Sequence, residues 1–80
     1  MTELVNKLEE LSGKRINQDF LQQAIGKLPY HSRITLQMRY NEKTSFNAIC
    51  QALDRSISSV RHYHSYGIFL LRQQLKNGTL

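Results

Sequence analysis

The chain of 80 residues is long enough for one small domain, and its 11 Lys and Arg against 6 Asp and Glu give a net charge of +5. Hydrophobic residues make up 40% and charged residues 21%, a balance typical of a folded globular domain and not of a disordered chain. A single cysteine excludes an internal disulfide, and no apolar run approaches the ~20 residues that span a bilayer. We therefore expect a cytoplasmic single domain that is not an enzyme and binds no metal or cofactor.

Apolar spacing and capping residues predict the first two helices. The first helix follows Thr2 as N-cap and ends at Gly13, because a glycine just past the last turn is a common helix terminator. Its apolar residues share one stripe and are Leu4, Val5, Leu8 and Leu11. The second helix runs from about Gln18 to Lys27, with Asn17 as its cap. Its expected buried face consists of Phe20, Leu21, Ala24, Ile25 and Leu28.

Pro29 separates the second helix from three further helices, since the residue before a proline is biased away from helical conformation. The third covers about residues 30–41. The fourth is short, begins after Ser45 as cap, and has an apolar face of Phe46, Ile49, Cys50 and Leu53. Ser56 caps the longest helix, which extends to about Asn77. Its expected inner face consists of Ile57, Val60, Ile68, Leu71 and Leu75. The predicted fold class is all-α, a small bundle of about five helices.

The excess positive charge is unevenly distributed. Residues 1–12 hold one lysine and three glutamates, a net of −2, whereas residues 13–80 hold ten basic and three acidic residues, a net of +7. A basic body behind an acidic first helix favours a polyanionic partner. Solubility alone explains an excess of this size equally well.

Residues 45–66 combine a short helix, a tight turn and a longer helix that begins with hydroxyl residues, which is the pattern of a helix-turn-helix. In that arrangement the second helix, the recognition helix, presents its N-terminal half to the major groove of DNA. The residues expected on its outward side are Ser56, Ser58, Ser59, Arg61, His62 and Ser65. Hydroxyls suit phosphate oxygens, and arginine suits guanine edges or phosphate. A plain helical hairpin with a capped second helix explains the pattern as well.

The run from Leu21 to Glu42, with Leu28-Pro29, Arg33 and Met38-Arg39-Tyr40, resembles the opening of region four of bacterial sigma factors, especially the extracytoplasmic-function group. The run from Ser45 to Arg61 is similar to the helix-turn-helix of that region, and Leu71-Arg72-Gln73-Gln74-Leu75 is similar to its tail. The resemblance extends over about residues 20–76. It divides the chain into an N-terminal amphipathic helix and turn, residues 1–16, and a region-four-like domain, residues 17–80.

The resemblance implies a helical domain that recognises a −35-like promoter element in double-stranded DNA and docks on the β flap of RNA polymerase. It implies promoter contacts by Arg61, His62, Ser58 and Ser59, with Arg39 and Arg55 near the DNA backbone. The chain departs from the family pattern in having few arginines after Arg61, which predicts weaker DNA binding with a smaller salt dependence. It also has no room for region two, so we expect a fragment or a stand-alone regulator.

Several side chains of the last helix have two interpretations. His62 is expected at the surface or on DNA, and His64 is expected to be packed and hydrogen-bonded; on different helix faces, the two cannot share a metal. Tyr63 and Tyr66 are expected to pack against the first helices, although they could also pair with each other or meet a sugar-phosphate backbone. Part of the apolar surface of Ile68, Phe69, Leu70 and Leu71 is expected to be covered by the N-terminal helix. The alternative is that these residues or the N-terminal helix form a homodimer seam or a protein-docking face.

Two functions therefore stand at this point. The first is a DNA-binding transcription regulator that resembles sigma region four and contacts promoter DNA, with RNA polymerase as a possible second partner. The alternative is a protein-interaction module that docks on RNA polymerase or another transcription factor without recognising DNA itself.

Overall fold

The computed structural model describes residues 2–76 and contains, within that range, five α-helices and no strand. The helices are α1 (Thr2–Ser12), α2 (Gln18–Gly26), α3 (Tyr30–Leu36), α4 (Phe46–Leu53) and α5 (Ile57–Lys76). α3 continues without a break into a five-residue π-helical segment, Gln37–Asn41. The expected all-α bundle is confirmed. The predicted end of the last helix, Asn77, lies outside the described residues. Within residues 2–76, none of the helices combines the length and the hydropathy of a membrane-spanning segment.

Local hydrogen bonds explain where most of these helices begin and end. In three of the predicted caps, a side-chain oxygen accepts from the backbone N–H three residues ahead at 3.2 Å: Asn17 from Phe20, Ser45 from Ala48, and Ser56 from Ser59. Gly13 ends α1 with a φ of +71° and donates its N–H to the Glu9 carbonyl at 2.8 Å. Thr2 is the first residue of α1 and not its cap.

The hydrophobic core is organised around α5, which packs against each of the other four helices. The main cluster draws residues from α1, α2, α3, the turn after α2, the π-helical segment and α5: Leu4, Leu8, Leu21, Ala24, Ile25, Leu28, Leu36, Tyr40, Ile68, Leu71 and Leu75. Ile49 of α4 and Val60 of α5 are also fully buried. The acidic α1 is therefore part of the same core as the basic remainder of the chain.

A glycine permits the closest approach between two of these helices. A Cβ atom added to Gly67 of α5 would lie 2.8 Å from Cδ1 of Leu36 and 3.5 Å from Cβ of Ser32. Leu36 is itself fully buried, so it has little room to move away. The missing side chain at Gly67 thus sets the spacing of α3 and α5.

Three residues expected in the core are substantially exposed. Phe20 is 43% exposed because it lies about 100° around α2 from Leu21, beyond the edge of the buried stripe. Ile57 is 36% exposed at the first position of α5, where the end of a helix has fewer neighbours to cover it. Leu11 is 45% exposed in the last turn of α1.

Candidate nucleic-acid interface

The connection between α4 and α5 is held in one geometry by two backbone hydrogen bonds. The Arg55 N–H donates to the Cys50 carbonyl at 3.0 Å, and the Asp54 N–H donates to the Gln51 carbonyl at 3.4 Å. Asp54 adopts the left-handed conformation, with φ 55° and ψ 50°. This pair of bonds is the Schellman motif, in which glycine usually takes the left-handed position. It defines where α5 starts relative to α4 within a connection of three residues, 54–56.

The π-helical segment supports this helix-turn-helix unit, residues 45–66, from behind. Arg39 donates from Nη1 to the Thr44 carbonyl at 3.3 Å, and its guanidinium carbon lies 4.9 Å from the ring centre of Phe46. The Tyr40 hydroxyl lies 2.6 Å from Nε2 of His64 in α5. One short segment therefore contacts both helices of the unit.

His64 is packed and hydrogen-bonded, as expected. Burial lowers the pKa of His64 from its ordinary value of 6.5, and the nearby positive charges of Lys7 and Arg39 lower it further. Burial also raises the pKa of Tyr40, with the Glu3 carboxylate as a second cause. Both shifts favour the neutral pair, in which the Tyr40 hydroxyl donates to Nε2 of His64.

Four of the predicted site residues form one exposed face of α5. Ser58, Arg61, His62 and Ser65 are all exposed and fall within an arc of about 100° around the helix. We call this set the outward face. It lies in the first half of α5, directly after the cap and turn that position the helix.

The remaining predicted site residues take part in internal hydrogen bonds. Ser56 donates from Oγ to Oγ of Ser59 at 3.1 Å, and Ser59 is half-buried. Arg55 is exposed, and its Nη1 donates to the Asp54 carbonyl at 3.3 Å. Arg39 is half-buried in the π-helical segment, and its Nη1 donates to the Thr44 carbonyl. These side chains shape the unit, and the structure does not place Arg39 on the outward face.

Neither helix of the helix-turn-helix unit, α4 or α5, carries an acidic residue. α4 has no charged residue, and the charged residues of α5 are Arg61, Arg72 and Lys76, all basic. A polyanion lying along either helix would therefore meet no carboxylate from it. Asp54 in the connection is the acidic residue nearest to the outward face in the chain.

A row of aromatic rings continues along the exposed side of α5, and sequence reasoning missed it. The rings of His62 and Tyr66 are stacked with centroids 5.9 Å apart, and those of Tyr66 and Phe69 with centroids 6.4 Å apart. Tyr66 is 41% exposed, so the expectation that it packs against the first helices was wrong. Tyr63 stacks on His31 of α3 at 4.8 Å. The spacing i, i+4, i+7 of residues 62, 66 and 69 was the available signal.

Within residues 2–76, no group of three or more His, Cys, Asp and Glu side chains is placed to hold a metal ion. Comparison of the chain with protein families, with curated proteins and with solved structures found no match. The function is therefore argued from the geometry of this interface.

Proposed function

We propose that this protein is a DNA-binding transcription regulator of the bacterial cytoplasm that contacts duplex promoter DNA with the outward face of α5. The observation that supports this most directly is that Ser58, Arg61 and His62 are exposed on one face of α5. This helix has no acidic residue, and the Schellman motif at the end of α4 sets its position. The resemblance to sigma region four supports a −35-like element as the target and RNA polymerase as a second partner.

The chemistry of the outward face suits a few contacts of moderate strength. The guanidinium of Arg61 can bind the O6 and N7 atoms of guanine or a phosphate, and the serine hydroxyls can donate to phosphate oxygens. Because Arg61 is the one basic residue in the set, few counterions are released on binding. We therefore expect modest affinity and a shallow dependence on salt.

Substitution of Arg61 tests the assignment. A loss of about 1–3 kcal/mol is typical for an arginine that contacts a base, so Arg61→Ala should weaken binding of a promoter duplex about 5- to 150-fold. The measurement is fluorescence anisotropy with a labelled duplex, repeated over a range of salt concentrations. Arg15→Ala is the matched control, because Arg15 is an exposed arginine in the loop between α1 and α2.

Two outcomes would contradict the proposal. If Arg61→Ala and Arg15→Ala reduce binding equally, the contact is a general charge effect and the outward face is not the site. If the chain binds neither promoter nor random duplex but is retained by purified RNA polymerase, the protein-interaction module is the better description of its function.

A further inference from the structure

A groove of about 410 Å³ lies between the C-terminal ends of α1 and α5, outside the outward face. Its apolar lining comes from Leu11, Phe69 and Leu75, and its basic lining from Lys14, Arg72 and Lys76. Of the residues that the structure describes, no acidic one lines it. We call this the terminal groove.

The terminal groove exists because α1 and α5 run in the same direction. Lys7 in the middle of α1 lies beside Ile68 and Phe69, while Lys14, just past the end of α1, donates from Nζ to the Leu75 carbonyl at 3.1 Å. Two helix C-termini therefore meet at this end, each equivalent to about half a negative charge. The cations in the lining, three in number, exceed those two partial charges. The Glu9 and Glu10 carboxylates of α1 are not among the described lining residues, so the lining itself is electropositive.

The apolar part of the terminal groove is accessible. Phe69 is 52% exposed and Leu11 is 45% exposed, whereas Leu75 is 4% exposed and forms the floor. Exposed apolar surface of this kind is most effectively removed from water by a partner that brings its own apolar side chains. A DNA backbone offers cations a partner but leaves Phe69 and Leu11 in water. A flat lipid surface would cover the rim without filling the groove.

We propose that the terminal groove binds an acidic amphipathic peptide segment of another protein. An apolar side chain of the segment inserts between Leu11 and Phe69, and its carboxylates pair with Lys14, Arg72 and Lys76. This interaction uses none of the residues of the outward face. It adds a protein-binding site at the end of α5 opposite to the one proposed to meet DNA.

The test uses the full chain and a fluorescein-labelled synthetic peptide of about sixteen residues, with leucines at helical i, i+3, i+4, i+7 spacing and glutamates elsewhere. One control peptide replaces the leucines by serine, and another replaces the glutamates by lysine. Anisotropy should show saturable binding of the first peptide and at least about tenfold weaker binding of both controls, because the groove requires both apolar and acidic groups.

Matched variants locate the site on the protein. Phe69→Ser and Arg72→Glu should each weaken peptide binding by about tenfold or more. Phe20→Ser, the same substitution, and Lys27→Glu, the same reversal of charge, lie at exposed positions outside the groove and should leave peptide binding unchanged. Circular dichroism of every variant checks that the helices are intact.

Several results would overturn this proposal. They are equal binding of the serine control peptide, equal losses in the groove and control variants, Phe69-dependent binding to anionic phosphatidylglycerol vesicles without peptide binding, or Phe69-dependent self-association in sedimentation. The DNA affinity of Phe69→Ser should stay at the wild-type value, because Phe69 lies about 12 Å along α5 from Arg61. If peptide binding fails while Arg61 still controls DNA binding, the terminal groove proposal alone is rejected.

Discussion

At the scale of single residues, the contact between Tyr40 and His64 joins the π-helical segment to α5. The hydroxyl and Nε2 lie 2.6 Å apart, and the ring of Phe46 meets His64 edge-on with centroids 5.4 Å apart. Protonation of His64 would remove its acceptor and place a third positive charge near Lys7 and Arg39. This contact therefore makes the stability of the fold depend on pH.

The sign of that dependence follows from the lowered pKa of His64. In the unfolded chain His64 takes up a proton as the pH falls through about 6.5, whereas in the folded chain it stays neutral to a lower pH. The stability that His64 contributes is thus fully present above pH 6.5. It decreases as the pH falls towards the folded-state pKa.

Urea unfolding at pH 7.5 and at pH 5 measures this effect. We expect the loss of unfolding free energy on acidification to be smaller in His64→Gln than in wild type, because the substitution removes the titrating group. His62→Gln, the same substitution at an exposed histidine, is the matched control. An equal pH dependence in wild type and His64→Gln would show that His64 does not contribute to the acid destabilisation.

At the scale of helices, two glycines have opposite surroundings. Gly67 is buried against Leu36, and Gly26, the last residue of α2, has no atom within 4 Å of an added Cβ. Alanine is favoured over glycine in a helix by about 0.5–1 kcal/mol, whereas overpacking a core costs about 1–3 kcal/mol. The same substitution should therefore have opposite effects at the two sites.

We expect Gly67→Ala to lower the unfolding free energy by about 1–2 kcal/mol and Gly26→Ala to raise it by up to about 1 kcal/mol. For a chain of this size, each 1 kcal/mol corresponds to a change in Tm of about 4–8 °C. Thermal unfolding followed by circular dichroism measures both. A rise in Tm for Gly67→Ala would mean that α3 and α5 can separate at little cost.

Helix bounds were predictable because the chemistry of caps is local. Asn17, Ser45 and Ser56 act on N–H groups three residues away, so their roles are visible in the sequence. The π-helical segment and the contact made by Gly67 were not predictable, since both depend on helices packed from distant parts of the chain. The same difference divides the candidate site: helical periodicity placed Arg61 outward, whereas the internal bonds of Arg39 arise from tertiary packing.

At the scale of the whole molecule, the N-terminal helix shares a core with the second half of α5, the helix whose first half belongs to the helix-turn-helix unit. Leu4 and Leu8 of α1 are fully buried and belong to the same cluster as Leu71 of α5. The resemblance to sigma region four begins after α1 and so says nothing about this packing. Because α5 packs against all four other helices, we expect the described helices to unfold together in one cooperative transition.

Shortening one buried side chain of α1 tests this cooperativity. Leu8→Ala should lower the unfolding free energy by about 2–5 kcal/mol, a large part of the total for a domain of this size. It should also shift the unfolding of all the helices together, as seen by circular dichroism and by tyrosine fluorescence. Asn6→Ala, at an exposed position of the same helix, is the control. Two separate transitions in Leu8→Ala would show that α1 is an independent unit.

The position of α5 in the chain has a consequence for synthesis. The helix that packs against all four others comes last among the described helices, and it supplies Val60, Ile68 and Leu71 to their buried surfaces. While the ribosome is still translating the earlier helices, their apolar residues lack most of the surface they later cover. We therefore expect the earlier helices to remain without their full packing until about residue 76 has emerged from the ribosome.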